Sequence, residues 1–168
     1  MKQRRVCVVL MFIGVLVFSA SAQQPKPGVL GSEDLKKLVP EVYFFRGQSA
    51  TVQVRNSGGV ATPDGKFVLA SLVDTSGYAS DIQAKYQGLL ITEVKLNVGG
   101  SELAPGEYGF GFLKDGKFLV MDVGGHELLS VATTTDEKLA HPVPLKIVQD
   151  GSGYRLYDGR KWVSLKPE

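Results

Sequence analysis

The chain has 168 residues, with 19 basic side chains, 17 acidic side chains and a single cysteine. Three of the basic residues and the cysteine lie within residues 1–22, so the rest of the chain carries 16 basic residues, 17 acidic residues and no thiol. A net charge of −1 on that part gives no electrostatic reason to expect binding to nucleic acid or to an anionic membrane. The absence of thiols excludes a disulfide framework, a zinc–thiolate site and a cysteine nucleophile there.

Residues 1–22 have the three features of a secretory signal peptide in the required order. A positively charged start is followed by an apolar run, Val6 to Phe18, and then by Ala20-Ser21-Ala22, an A-x-A cleavage site. The apolar run has about 13 residues, whereas a helix that crosses a bilayer needs about 20, so a cleaved signal is favoured over a membrane anchor. We therefore predict export, to the periplasm or the extracellular medium, of a soluble protein that begins near Gln23 and has no stable membrane insertion.

The next segment, residues 23–31, is rich in proline, glycine and glutamine, which predicts a flexible linker. A short helix is predicted after it, because Ser32 is a favourable N-cap, acidic residues follow it, and Pro40 would end the helix. Residues 32–168 are expected to form a single globular domain, since a chain of this size can be stabilised by its core alone.

A second short helix is predicted from Ser80. Ser80 and Gln83 have the spacing of a capping box, Ile82 and Tyr86 share a helical face, and Gly88 is placed to end the helix.

Most of the remaining sequence alternates apolar and polar residues between glycine-containing turns, as antiparallel strands with one buried face do. This alternation predicts a half-buried strand over residues 89–98, while Asn56-Ser57-Gly58-Gly59 predicts a loop. About ten strands are expected in all, near residues 42–46, 50–55, 66–74, 89–98, 106–113, 116–123, 127–133, 144–149, 153–157 and 161–165. The predicted fold is therefore all-β with a minor helical insertion, in a meandering barrel or a two-layer sandwich.

Three Asp-Gly pairs predict hairpin turns, because tight turns require positive φ and these two residues tolerate it best. They are Asp64-Gly65, Asp115-Gly116 and Asp158-Gly159. A two-residue turn at the middle pair would place Phe110 opposite Met121. Gly109 and Gly111 would then leave the reverse face nearly bare, which allows another backbone to approach or the sheet to coil strongly.

Few residues point to catalysis. The chain has two histidines, His126 and His141, and His126-Glu127 begins like a zinc motif whose second histidine is missing. A hydrolase site that combines His126 with Asp122, Glu127 and His141 is one alternative, and paired carboxylates from distant strands are another. No serine lies in a G-x-S-x-G turn, no phosphate-binding loop is present, and no cofactor or metal site is predicted.

The aromatic residues offer another functional hypothesis. Tyr108, Phe110 and Phe112 on one strand face, with Tyr78 and Tyr86 near the second helix, are candidates to line an apolar cavity, although large rings also commonly fill sheet-on-sheet cores. The sequence thus favours an exported, non-enzymatic binding domain for a small apolar ligand or for a protein of the cell envelope. A hydrolase that uses His126 and a structural accessory role in the envelope remain alternatives.

Overall fold

The computed structural model describes residues 25–168, and the predicted signal peptide over residues 1–22 lies outside the described residues. Within residues 25–168 there are two helices, α1 (Ser32–Leu38) and α2 (Ser80–Gln83). The strands are β1 (Gly28–Val29), β2 (Val42–Phe45), β3 (Gln48–Ala61), β4 (Phe67–Val73), β5 (Gly88–Thr92), β6 (Leu96–Val98), β7 (Ser101–Leu103), β8 (Gly106–Phe112), β9 (Lys117–Met121), β10 (Glu127–Ala132), β11 (Thr134–Thr135), β12 (Val143–Asp150), β13 (Gly153–Gly159) and β14 (Lys161–Pro167).

The strands of the described residues form two antiparallel sheets. The larger sheet has the order β1-β3-β4-β5-β8-β9-β10, with β2 paired to β3, and the smaller has the order β12-β13-β14-β6-β7, with β11 paired to β14. Over residues 25–168 neither sheet closes on itself, and the two sheets pack face to face. The predicted all-β fold is confirmed, and the sandwich is the observed one of the two predicted architectures.

Both faces of the larger sheet carry a hydrophobic core. The core between the two sheets includes Phe110, Phe118 and Leu156. The core on the opposite face includes Leu35 of α1 and Phe45 of β2. The larger sheet is therefore a middle layer, and α1, the β2–β3 hairpin and the segment around α2 form a partial third layer over it.

Residues 89–98, predicted as one strand, form two strands in different sheets, so that prediction is wrong. β5 belongs to the larger sheet and β6 to the smaller one. Thr92 lies at the corner, where its hydroxyl donates to the carbonyl of Val94 at 2.6 Å and holds the bend. Leu90 and Leu96 nevertheless face the same core, because a strand that crosses between packed sheets keeps its inner face inside. The alternation of inward-facing and outward-facing residues therefore continues through the corner.

All three Asp-Gly pairs lie at hairpin turns, as predicted. The predicted two-residue turn at Asp115-Gly116 is wrong, however. The amide of Leu113 donates to the carbonyl of Lys117 at 2.7 Å, so the loop has three residues, of which Gly116 is the last, with a φ of 82°. A three-residue loop that ends in a left-handed glycine is a common alternative to the two-residue turn.

The longer loop changes the register of β8 and β9 by one residue. Phe110 lies opposite Val120, and Met121 lies opposite Gly109. Since a shift of one residue exchanges the two faces of a strand, Phe118 and Val120 join Phe110 in the core between the sheets. Met121 lies instead in the core on the opposite face.

Residues 56–59, predicted as a loop, lie inside the long strand β3, so this prediction is also wrong. A Cβ atom on Gly58 would come within 2.7 Å of the backbone nitrogen of Ile147 in the smaller sheet. A Cβ atom on Gly59 would come within 2.8 Å of the side chains of Leu30 and Leu69. The two glycines thus permit close packing on both faces of the strand.

Both predicted helices are present. The predicted N-caps are wrong by one residue, because Ser32 and Ser80 are the first helical residues and the N-caps are Gly31 and Ala79, neither of which makes a side-chain capping bond. α2 is a single turn that ends at Gln83, and Gly88, predicted to end it, begins β5. Within the segment predicted as a linker, Gly28 and Val29 form β1 and pair with β3. Neither helix of the described residues has the length and apolarity needed to cross a membrane.

Candidate functional site

The five aromatic residues predicted to line a cavity fall into two groups. Tyr108, Phe110 and Phe112 belong to the core between the sheets. Tyr78 and Tyr86 belong to the core on the opposite face of the larger sheet. The larger sheet lies between the groups, so the structure does not bring the five residues together.

The first group packs around Phe118. The ring centroids of Phe110 and Phe112 lie 5.4 Å and 4.9 Å from that of Phe118. These are favourable separations for aromatic pairs. The hydroxyl of Tyr108 donates to the carbonyl of Ala104 at 2.9 Å. The rings of this group therefore contact one another and other core side chains.

The second group packs with Phe45. The rings of Phe45 and Tyr86 are stacked with centroids 3.9 Å apart, and Tyr78 meets Tyr86 edge-on at 5.3 Å. The hydroxyl of Tyr78 donates to the carbonyls of Phe45 and Gln48, at 3.0 Å and 3.1 Å. These contacts fasten the β2–β3 hairpin to the segment around α2.

Two hydroxyls in this core are buried without a hydrogen-bond partner among residues 25–168. They belong to Tyr43 and Tyr86. Burial is the main cause that raises the pKa of both phenols far above the ordinary tyrosine value, because the charged form would lose its solvation. Both side chains are therefore neutral at physiological pH.

A surface recess of about 200 Å³ opens beside this aromatic cluster, and we call it the α2 cleft. Apolar side chains contribute much of its lining, and charged side chains contribute the rest. The cleft is lined by Phe45, Arg46, Asp81, Ile82, Lys85, Tyr86, Met121, Gly125 and Glu127.

One wall of the α2 cleft is the segment that follows α2, and it is held closely against β8. The amide of Gln87 donates to the carbonyl of Phe110 at 2.8 Å, and its side chain accepts from the amide of Phe112 at 2.8 Å. The carbonyl of Lys85 rests against Gly111, where a side chain would collide with it. The prediction that the glycine face of β8 admits another backbone is thus confirmed at Gly111.

The opposite wall is the β2–β3 hairpin. Arg46 has a φ of 49°, and its amide donates to the carbonyl of Val123 at 2.8 Å. Its side chain covers Gly125, since a Cβ atom there would lie 2.5 Å from Cδ of Arg46. The ring of Phe45 covers Gly109 in the same way, since a Cβ atom on that glycine would lie 2.5 Å from the ring. Gly109 of β8 and Gly125 of the β9–β10 turn therefore leave the space in which the side chains of this wall pack.

The charges at the cleft are of both signs. Lys85 and Glu127 form an ion pair at 2.8 Å, and the hydrogen bond to Glu127 is the main cause that raises the pKa of Lys85. Arg46 and Asp81 form no ion pair with any residue in 25–168. Both side chains are exposed and available to charges on a bound molecule.

The residues of the hydrolase alternative are only partly together. His126 Nδ1 lies 2.9 Å from a carboxylate oxygen of Asp122, whose other oxygen accepts from the His126 amide at 2.9 Å. These bonds close the exposed β9–β10 turn. They are also the main cause that lowers the pKa of Asp122. Glu127 is paired instead with Lys85, and His141 lies in the connection between β11 and β12. Among residues 25–168 no three histidine, cysteine, aspartate or glutamate side chains are grouped as metal ligands would be.

A second recess, of about 260 Å³, contains a half-buried carboxyl group. It belongs to Asp158, and burial raises its pKa despite the nearby charge of Lys161. Gln53, Thr75 and Gln87 also line this recess, which is more polar than the α2 cleft.

Comparison with protein-family models, with curated proteins and with solved structures finds no match for this chain. The site is therefore defined by its own geometry.

Two residues of the α2 cleft, Tyr86 and Glu127, are among the candidate site residues predicted from the sequence, although for different sites, and the other residues of the cleft are not. Phe45, Arg46 and Met121 come from segments that are distant along the chain, and only the folded sheet brings them together. The one local signal was Arg46-Gly47, which forms the two-residue loop between β2 and β3.

Proposed function

We propose that this protein is an exported, non-enzymatic binding domain whose ligand is another protein of the cell envelope. The observation that carries the proposal is the α2 cleft, a recess lined by apolar side chains together with charged side chains of both signs. An apolar side chain of the partner would enter the recess, and charged groups beside that side chain would meet Arg46 and Asp81.

The size of the cleft favours a protein over a small ligand. Pockets for small molecules usually have volumes of about 300–1,000 Å³, and this recess has about 200 Å³. Protein interfaces, in contrast, often concentrate their binding energy on a few anchor side chains that fill small pockets.

The packing of the aromatic residues also supports a surface site. Phe110 and Phe112 lie against Phe118, and Tyr86 lies against Phe45, so these rings already have close neighbours in two separate cores. A small apolar ligand between the sheets would have to displace such contacts, and the loss would oppose binding.

The walls of the cleft are held before a partner arrives. The hydrogen bonds of Gln87 and Tyr78 and the contact of Lys85 with Gly111 fix the two segments against the sheet. Association then orders few additional groups, which lowers its entropic cost. The exposed charges of Arg46 and Asp81 would select among partners through complementary charge.

The proposal is tested by selecting binders for residues 23–168 from a display library of the host's own exported proteins. For a selected binder, Ile82→Asp should weaken affinity at least about tenfold, because it places a charge in the wall of the recess. The matched control is Val143→Asp, which makes the same kind of change on the smaller sheet, where Val143 is 39% exposed.

A third variant separates the binding domain from the hydrolase alternative. Replacement of both histidines, by His126→Ala and His141→Ala, should leave the affinity unchanged. Binders that lose affinity equally with Val143→Asp, or only with the histidine variant, would contradict the proposal.

A further inference from the structure

Strand β2 is open along one edge. It pairs with β3 through Glu41, Tyr43 and Phe45, as the bond from the Val52 amide to the Glu41 carbonyl and the pairing of Phe45 with Gln48 show. Because successive residues of a strand direct their backbone groups to opposite sides, the N–H and C=O groups of Val42 and Phe44 point away from β3. No backbone partner for these groups is found in residues 25–168.

The open edge is limited at both ends. At one end Pro40 has no N–H group to donate. At the other end the N–H of Arg46 already donates to the carbonyl of Val123. The edge therefore offers the two donors and two acceptors of Val42 and Phe44.

The side chains on this edge are apolar and exposed. Val42 is 55% exposed and Phe44 is 58% exposed, the largest exposures among the large apolar side chains of the described residues. β2 is only four residues long and follows Pro40, but residues 42–45 themselves contain no lysine, proline or bulge of the kind that protects the edges of natural sheets. Such an edge is suited to pairing with another strand.

We propose that two copies of this chain associate through β2, with the two β2 strands antiparallel across a two-fold axis. Val42 of each copy lies opposite Phe44 of the other. This register satisfies all four free groups on each edge, and it places a β-branched side chain beside an aromatic one in both pairs, a favourable cross-strand combination.

Two neighbouring registers are less favourable. A shift in one direction would place Pro40 opposite Phe44, with one donor missing. A shift in the other direction would require the N–H of Arg46, which Val123 already holds. The free groups thus select a single register.

Charge complementarity supports the second copy as the occupant. Glu41 lies at one end of β2 and Arg46 at the other, both are exposed, and neither forms an ion pair with any of residues 25–168. Antiparallel pairing brings Glu41 of each copy near Arg46 of the other, whereas parallel pairing would bring like charges together. Arg46 also lines the α2 cleft, whereas the free backbone groups of Val42 and Phe44 belong to the β2 edge alone.

The experiment uses sedimentation of the purified chain, residues 23–168, over a range of concentration. We expect a reversible dimer at concentrations up to about 100 µM, because a small edge-to-edge interface gives weak association. Phe44→Pro removes an N–H that β3 does not use, so it should weaken the dimer at least about tenfold while the fold is kept. A chain that stays monomeric, or a dimer that Phe44→Pro leaves unchanged, would overturn the proposal.

A second measurement does not depend on the folding of a proline variant. Because residues 23–168 contain no cysteine, the double variant Val42→Cys with Phe44→Cys can report the register by disulfide formation. Mild oxidation should link position 42 of one copy to position 44 of the other, identified by peptide mass, faster than it links copies that carry Val143→Cys. Equal rates would contradict the pairing.

Charge exchange completes the test. Arg46→Glu should weaken the dimer, and addition of Glu41→Arg should restore it. If another protein binds the edge as a strand while the chain alone is monomeric, the second copy is not the occupant. Since these measurements use the purified chain alone, a negative result leaves the proposed function of the α2 cleft untouched.

Discussion

The backbone carbonyl of Lys85 lies against Gly111, in the space that a side chain at that position would occupy. This contact packs one wall of the α2 cleft, the segment that follows α2, against β8. Gly111→Ala should therefore force the wall away from the sheet and lower the free energy of unfolding by about 1–3 kcal/mol, as overpacking does. Denaturant unfolding measures the loss.

The matched control for that variant is Gly77→Ala. A Cβ atom at Gly77 would meet its nearest neighbour, Gln48, at an ordinary 3.9 Å. The control should change stability by less than about 0.5 kcal/mol. If both variants behaved alike, the close approach of Lys85 to Gly111 would be contradicted.

Phe110 and Phe44 are phenylalanines in opposite environments, so the same substitution can be compared at both positions. Phe110 is fully buried beside Phe118, whereas Phe44 is exposed on β2. Phe110→Ala should lower the free energy of unfolding by about 3–5 kcal/mol. Phe44→Ala should lower it by less than about 0.5 kcal/mol, measured in the same way at a concentration where the chain is monomeric. A small effect at Phe110 would indicate a ring that lines an open space.

Removal of the Tyr78 hydroxyl and removal of the Tyr86 hydroxyl should have different effects on stability. The Tyr78 hydroxyl donates to two backbone carbonyls, so Tyr78→Phe should lower the free energy of unfolding by about 1–2 kcal/mol. The Tyr86 hydroxyl has no partner in the described residues, so Tyr86→Phe should be neutral or stabilising. The reverse order of the two thermal midpoints would contradict the hydrogen bonding described for these hydroxyls.

The burial of Tyr43 and Tyr86 predicts a loss of stability at alkaline pH. In the folded protein burial raises the pKa of Tyr43 and Tyr86, whereas tyrosines in the unfolded chain titrate near about 10. Stability is therefore intact below about pH 10 and falls as the pH rises above it, because the unfolded chain ionises first. The double variant Tyr43→Phe with Tyr86→Phe should show a smaller fall between about pH 10 and pH 12. An identical pH profile for both proteins would count against the burial of these phenols.

Local patterns in the sequence identified the elements but not their partners. The alternation over residues 89–98 marked the inner face correctly, yet it could not show that the chain leaves one sheet for the other at Thr92. Asp115-Gly116 marked a turn, but two-residue and three-residue loops both accept this pair, and the difference of one residue reversed the faces of β9. Gly58 and Gly59 resembled a loop because their close neighbours, Ile147 and Leu30, lie far away in the sequence.

The candidate site was harder to predict for the same reason. The sequence marks Tyr86 as an aromatic residue near the second helix, but its stacking on Phe45 depends on how the β2–β3 hairpin folds over the larger sheet. Met121 reached the cleft side of β9 only through the register that the three-residue loop imposes. Contacts across sheets set this geometry, and no local spacing encodes them.

The measurement that tests the central proposal most directly is native mass spectrometry of the protein purified gently from its own host, with metal analysis on the same sample. We predict a polypeptide chain that starts near Gln23 and that carries a second, different polypeptide. That bound mass should be lost with Ile82→Asp and kept with Val143→Asp. A bound apolar small molecule, or a stoichiometric metal ion in the wild-type protein, would contradict the account.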